Sequence, residues 1–194
     1  MTRRTVSSLA ILLLAAAFVF PGKGVCAAAG EKYKRTIENY VIPDVTLVNQ
    51  DGVKVRLSRL MRSKEVIMVD FIYTTCTTIC PVLSAGFANF QRRMGPGPGD
   101  VRLVSISIDP DNDTPKKMKE YLKRYDAKPG WDFLTGSRED IEKVTRALDA
   151  YTPNKMSHLP LALLHSPADS RWVRIYGLIG ASDLVAEYER ALGR

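Results

Sequence analysis

Glu65-Val-Ile-Met-Val-Asp-Phe-Ile-Tyr73, followed at once by Thr74-Thr-Cys76-Thr-Thr-Ile-Cys80-Pro81, is the stretch on which the fold turns. A continuous apolar run of this kind matches a strand buried on both faces, the pattern found where helices cover a sheet. It ends in a polar turn that carries two thiols. Beyond Pro81, Val82 to Met94 has helical spacing, with Leu83, Phe87 and Phe90 on one side. Gly95-Pro-Gly-Pro-Gly99 then breaks the helix.

Outward from this unit the same alternation repeats. Val101 to Ile108 is a second β-branched run, and Thr114-Pro115 opens a helix through Tyr125, with proline where a missing N–H costs nothing. Trp131 to Leu134 reads as a short strand. Ser137 caps a helix predicted to Tyr151, with Asp140 three residues on. Leu161 to Leu164 and Trp172 to Tyr176 form a strand pair around Ser166-Pro-Ala-Asp-Ser170, and a helix from Ser182 to Leu192 closes the chain. Upstream, Val45–Val48 and Val53–Leu57 flank a Gly52-containing turn and predict an N-terminal β-hairpin. Strands alternating with helices, then a terminal hairpin, give an α/β sandwich with a mixed central sheet.

The chain has 194 residues, 45% hydrophobic and 25% charged, which excludes disorder, collagen-like repeats and a polytopic membrane protein. Three cysteines and two histidines are too few for a disulfide-stapled mini-protein or a zinc ribbon. Arg3 and Arg4 precede an apolar run, Leu9 to Phe20, and an Ala-rich exit at Cys26-Ala27-Ala28-Ala29. Residues 1–29 are therefore expected to be an export signal or an N-terminal membrane anchor, with a single domain at 30–194. The run is short for a span, which needs about 20 apolar residues. Val25 before Cys26 and Thr5-Val6-Ser7 after the arginines match lipoprotein and twin-arginine signals poorly. The net charge of +7 changes with this segment: 28 basic residues less Arg3, Arg4 and Lys23 leave 25 against 21 acids, or +4. The remaining cations are scattered among acids with no aromatic-interleaved stripe, so no nucleic-acid partner is expected.

The chemistry centres on Cys76 and Cys80. A helix N-terminus carries roughly half a positive charge and favours thiolate over thiol. Two thiols there can attack a disulfide, close on each other, or hold a soft metal. An inert structural bridge is the plainer alternative, but one closing so small a loop stabilises little. His158, in Lys155-Met-Ser-His-Leu-Pro160 ahead of a strand, can face the cysteine turn in an α/β sandwich. A Cys, Cys, His set suits copper, since Cu(I) selects thiolates and imidazole adds a third ligand, whereas structural zinc wants a fourth. His165 reads as structural.

Asp109, Asp111 and Asp113 with Glu120 imitate an EF-hand loop, but Thr114 stands where glycine is required. Turn and helix-cap roles, with an electrostatic effect beside the thiols, are the expectation instead. Thr77, three residues before Cys80, matches a peroxiredoxin, but Tyr73 stands where that motif needs proline.

Cys76-Thr-Thr-Ile-Cys80-Pro81 after Asp70-Phe-Ile-Tyr-Thr74, then Ser105-Ile-Ser-Ile-Asp-Pro-Asp-Asn-Asp-Thr-Pro115, then Gly130-Trp-Asp-Phe-Leu-Thr-Gly136, resemble the Sco/SenC family across roughly residues 40–180. The resemblance implies a thioredoxin-like fold and a periplasmic or inner-membrane-tethered location. It implies copper held by Cys76, Cys80 and His158 for delivery to the binuclear copper site of a respiratory cytochrome c oxidase subunit, or to another periplasmic copper or thiol protein. The sequence departs from the family at Ser157, where Asp is usual, and at His165-Ser-Pro-Ala-Asp169, where an Asp-Pro-x-Gly turn is usual. Pro160 falls where thioredoxin-like oxidoreductases carry a cis-proline beside their cysteines. That position supports the alternative of a thiol–disulfide oxidoreductase in which Cys76 and Cys80 form a redox-active disulfide.

Overall fold

The computed structural model describes residues 33–95 and 101–194; residues 1–29, expected to be an export signal or anchor and including Cys26, and most of the Gly-Pro run lie outside them. In chain order the elements are β1 (Lys34–Glu38), β2 (Thr46–Asn49), β3 (Lys54–Arg56), α1 (Leu57–Leu60), β4 (Val66–Ile72), α2 (Cys80–Met94) and β5 (Val101–Ser107). They continue with α3 (Pro115–Arg124), β6 (Trp131–Thr135), α4 (Arg138–Ala147), a 3-10 turn at Lys155–Ser157, β7 (Leu161–His165), β8 (Trp172–Tyr176) and α5 (Ala181–Ala191). No helix of the described residues is long and apolar enough to cross a membrane.

One sheet runs in the order β1-β8-β7-β4-β5-β6-β2-β3. Its centre, β4 with β5 and β5 with β6, is parallel, and every other pairing is antiparallel. The mixed sheet of the sequence reading is what forms. All seven residues of β4 are buried, as a central strand between two helical layers must be. Met68 and Ile72 face Leu83, Phe87 and Phe90 of α2, Tyr121 of α3 and Leu184 of α5. Ile67, Val69 and Phe71 face the opposite layer, with Leu57 of α1 and Ile141 and Val144 of α4. Each such side chain contributes roughly 1.5–3 kcal/mol by leaving water, so the two layers fix β4 in the middle.

The structure differs from the sequence reading in three places. First, β1 was not expected, because Lys34-Arg-Thr-Ile-Glu38 has no apolar pattern; pairing with β8 supplies its order. Arg35 Nε and the Tyr33 hydroxyl add to this by donating to the fully buried Glu187 of α5, at 3.0 and 2.8 Å. Second, the second arm of the hairpin stops at Arg56. Leu57 starts a short helix instead, its N–H bonded to the Val45 carbonyl at 3.0 Å.

Third, α4 ends at Ala147 rather than Tyr151. Asp149 turns left-handed at φ 51°, and the buried Arg174 guanidinium donates to the carbonyls of Leu148 and Asp149 at 2.9 and 2.7 Å. Those bonds satisfy acceptors that a helix end leaves bare. The isomer of the Leu159–Pro160 bond, which the sequence left open, is trans, as is every peptide bond among the described residues. The Pro160 carbonyl instead accepts from Gly177 N–H at 3.0 Å, joining the loop before β7 to the end of β8.

α2 lies close to the loop between β8 and α5 because Gly86 has no side chain. A Cβ there would stand 2.9 Å from the Ile179 carbonyl oxygen, a backbone atom. Gly86→Ala is expected to cost about 1–3 kcal/mol, as overpacked cores do. Urea unfolding measures it, and an unchanged midpoint would show that the loop yields freely.

Candidate metal centre

The cysteine turn is built where β4 leaves the sheet. Thr74 donates its N–H and its hydroxyl to the carboxylate of Asp113, the hydroxyl at 2.6 Å, and Ser107 of β5 donates to the same carboxylate at 2.6 Å. A turn then follows, with Cys76 N–H on the Tyr73 carbonyl at 3.2 Å. Cys80 is the first residue of α2 and Pro81 follows it; no acid occupies the first turn and no side chain caps it. The free N–H groups of that helix end therefore face sulfur rather than a carboxylate.

Both thiols are free and buried. Burial raises the Cys76 pKa, but hydrogen bonds from the Cys80 thiol and from the backbone N–H groups of Cys80 and Thr78 outweigh it and bring it down to about 7. Burial pushes Cys80 up, and its role as donor to Cys76 adds to that. One sulfur is thus readily a thiolate and the other keeps its proton for it.

His158 arrives from the loop before β7, the strand that pairs with β4. Its Nδ1 lies 2.7 Å from the Lys155 carbonyl, an acceptor only, so Nδ1 carries the hydrogen and Nε2 presents a lone pair. That Nε2 is 3.4 Å from the Cys80 sulfur. Burial lowers the His158 pKa, against the Lys155 carbonyl bond, which keeps the ring neutral as a ligand requires. The Sγ atoms of Cys76 and Cys80 and a ring nitrogen of His158 all lie within 4.8 Å of one another. The structure brings together the three residues singled out from the sequence.

The acidic loop contributes differently at each position. Asp113 sits beneath the cysteine turn, and Asp109 is paired with the ammonium of Lys155, whose carbonyl holds His158. Asp111 faces outward in an ion pair with Arg138. Thr114 caps α3 by accepting from Lys117 N–H. His165 lies at the end of β7 against Trp172, with ring centroids 4.7 Å apart. Sequence reasoning missed Tyr73, Lys155 and Met156. The Tyr73 ring meets the edge of His158 at 5.4 Å, and its hydroxyl donates to the Met156 sulfur at 3.2 Å. Only the spacing of Lys155 and Met156 from His158 carried any signal.

The SCO1/SenC family model matches residues 34–187. The SCO1 protein homolog of Bacillus subtilis is 40% identical over 121 residues, 61% of this chain and 61% of that protein. Among other curated relatives the matched part is about half of the relative's length or less, as with the mitochondrial SCO1 homolog 1 of Arabidopsis thaliana, 31% identical over 68% of this chain and 41% of that one. Among solved structures, BsSco, a member of the Sco family of cytochrome c oxidase assembly proteins with an identified disulfide switch, superposes with TM-score 0.65 at 32% identity, over 79% of this chain and 94% of that one. Arabidopsis thaliana ScoI with copper bound gives 0.64 at 28% identity, over 79% and 98%. The sandwich described above is the thioredoxin-like architecture of these structures.

One further group lies on the thiol-bearing side of β4. Asp70 is fully buried and neither carboxyl oxygen has a hydrogen-bond donor. Burial pushes its pKa up to about 7, with nearby Ser105 opposing only in part. The folded state then binds this proton more tightly than the unfolded chain, whose carboxyl titrates near 3.8. Its contribution to stability is therefore full below about pH 4 and is lost as pH rises to about 7. Asp70→Asn is expected to gain on the parent across that window, by a few kcal/mol in order of magnitude, and to hold a constant lead above it. Urea unfolding of both proteins under reducing conditions at several pH values checks this; a gap that does not change between pH 4 and 7 would contradict it.

Proposed function

Because the chain belongs to the SCO1/SenC family, we propose that it carries copper on Cys76, Cys80 and His158 and delivers it during assembly of the binuclear copper site of cytochrome c oxidase. The observation that carries this reading is the convergence of two sulfurs and one imidazole nitrogen within 4.8 Å, from positions 78 residues apart in the case of Cys80 and His158. Two soft thiolates select Cu(I), and a neutral imidazole suits it as third ligand. The residues present fit that ion. Nε2 already offers its lone pair, and Cys76 gives up its proton near neutral pH. Cys80 releases its own on binding, so copper uptake is accompanied by proton release. No fourth Cys, His, Asp or Glu joins the group among the described residues, which argues against closed structural zinc.

A partner must reach this site outside the compartment of synthesis if residues 1–29 act as an export signal or anchor for the domain at 30–194. On this reading the protein works in the periplasm, free or tethered to the inner membrane, and its partner is the copper-bearing oxidase subunit.

Copper analysis of the reduced protein tests the proposal. Cys76→Ala, Cys80→Ala and His158→Ala are each expected to lower Cu(I) affinity by about tenfold or more. Undiminished binding by Cys76→Ala and His158→Ala would sink it.

The divided thiol pair also favours a second role in thiol–disulfide exchange. Attack by the Cys76 thiolate on a partner disulfide gives a mixed disulfide; the Cys80 thiol, on losing its proton, then resolves it to a Cys76–Cys80 disulfide and releases the reduced partner thiols. This role predicts alkylation of Cys76 by iodoacetamide whose rate rises through about pH 7 and levels above it. It also predicts exchange activity that survives His158→Ala. Loss of exchange in that variant would count against it.

A further inference from the structure

Among the most exposed of the large apolar side chains is Met156, at 70%. An exposed methionine gains little from leaving water, so packing does not account for its placement. Nor is it loose. Tyr73, itself only 3% exposed, donates its hydroxyl to the Met156 Sδ at 3.2 Å. The same phenol lies against the Cys76 thiol, and its ring meets the edge of the His158 imidazole. One buried tyrosine thus touches two of the three candidate ligands and holds the thioether beside them.

The backbone adds a second constraint. Met156 lies in the 3-10 turn Lys155–Ser157, where the Asn154 side chain accepts Met156 N–H at 2.9 Å. Lys155, which opens that turn, supplies the carbonyl that orients His158 and is anchored through its ammonium to Asp109. The turn that positions the histidine therefore positions the methionine as well. The imidazole is half-buried, whereas the Met156 side chain is exposed.

We propose that Met156 is a further copper(I) ligand, a thioether at the mouth of the Cys76–Cys80–His158 site that takes the ion as His158 releases it. The inference rests on the copper reading above. A thioether is a soft, uncharged donor that suits Cu(I) and has little affinity for Zn(II). Methionine's unbranched side chain has three rotatable bonds, so its sulfur can swing inward without moving the turn. In the exchange a Cu–Sδ bond forms and the Cu–Nε2 bond breaks. The Tyr73 O–H···S bond is given up, the imidazole lone pair returns to the position it has in the structure, and the ion remains Cu(I). No electron or proton needs to be transferred. The ion keeps three donors while its inner nitrogen ligand is removed, which opens the route to an acceptor.

The test uses the full chain, reduced and loaded anaerobically with Cu(I), with X-ray absorption to count sulfur neighbours and competition against a chromophoric Cu(I) chelator to measure affinity. His158→Ala is expected to show three sulfur neighbours. Adding Met156→Leu should leave two and weaken affinity by a further tenfold or so. In the parent background, Met156→Leu should slow chelator capture of the ion. Met156 is exposed, so leucine there leaves the fold intact, which circular dichroism verifies. Two sulfurs in both His158→Ala proteins, with equal affinities, would overturn the proposal while leaving the Cys, Cys, His site standing. A parent chain that takes up no Cu(I) would overturn the copper reading and this inference with it.

Discussion

The Asp113 carboxylate is the point on which the centre depends. It is 1% exposed, and burying a carboxylate is costly unless donors replace its water. Thr74 supplies two of them and Ser107 a third, so the cysteine turn and the end of β5 are tied to one anion. The tie extends further. Ser107 Oγ accepts Asp109 N–H at 3.0 Å, Asp109 binds the Lys155 ammonium, and the Lys155 carbonyl takes the hydrogen of His158 Nδ1. A single polar chain thus runs from the turn that carries the thiols to the imidazole that faces them. Each link is short-range chemistry, yet together they set the separation of groups 78 residues apart in the sequence.

That frame explains the unequal thiols. Identical groups four positions apart differ because Cys76 receives hydrogen bonds at the mouth of α2, whereas Cys80 is enclosed and acts as donor. The helix start is free of acids, so no carboxylate competes with sulfur for its N–H groups. An arrangement of this kind serves metal capture and thiol exchange alike, since both begin with one thiolate and a second sulfur within reach. The histidine separates the two roles: it completes a donor set but has no part in attack on a disulfide.

Legibility in the sequence followed the range of the forces involved. β4 and β5 were readable because burial leaves runs rich in Val, Ile and Leu, and α3 because Thr114-Pro115 is a local start signal. β1 was not, since an edge strand of Lys, Arg and Glu owes its place to β8 and to Glu187, about 150 residues away in sequence. α4 ran too long in the sequence reading because its stop depends on Arg174, 26 residues beyond Leu148. In the site, Cys76 and Cys80 stand out by local spacing, and His158 by its position ahead of a strand. Lys155 and Met156 had only their spacing from His158 to mark them, and Tyr73 nothing local; their contacts with residues 46 and 83 positions away, Lys155 with Asp109 and Met156 with Tyr73, come from the fold.

The three donors are also unequally mounted. The two sulfurs share one turn clamped between β4, β5 and α2, while the imidazole hangs from a loop held by the Asp109–Lys155 pair and by the Pro160–Gly177 bond. Packing on both sides resists any change in the sulfur positions, because core side chains at native density have no free volume to move into. The loop has no comparable burial: Met156 and Leu159, on either side of His158, are both exposed. On the copper reading proposed above, a ligand set divided in this way would bind through a rigid pair and open through its third member. That division follows from where the sequence placed its apolar residues, since the same layers that bury β4 leave the histidine loop at the surface.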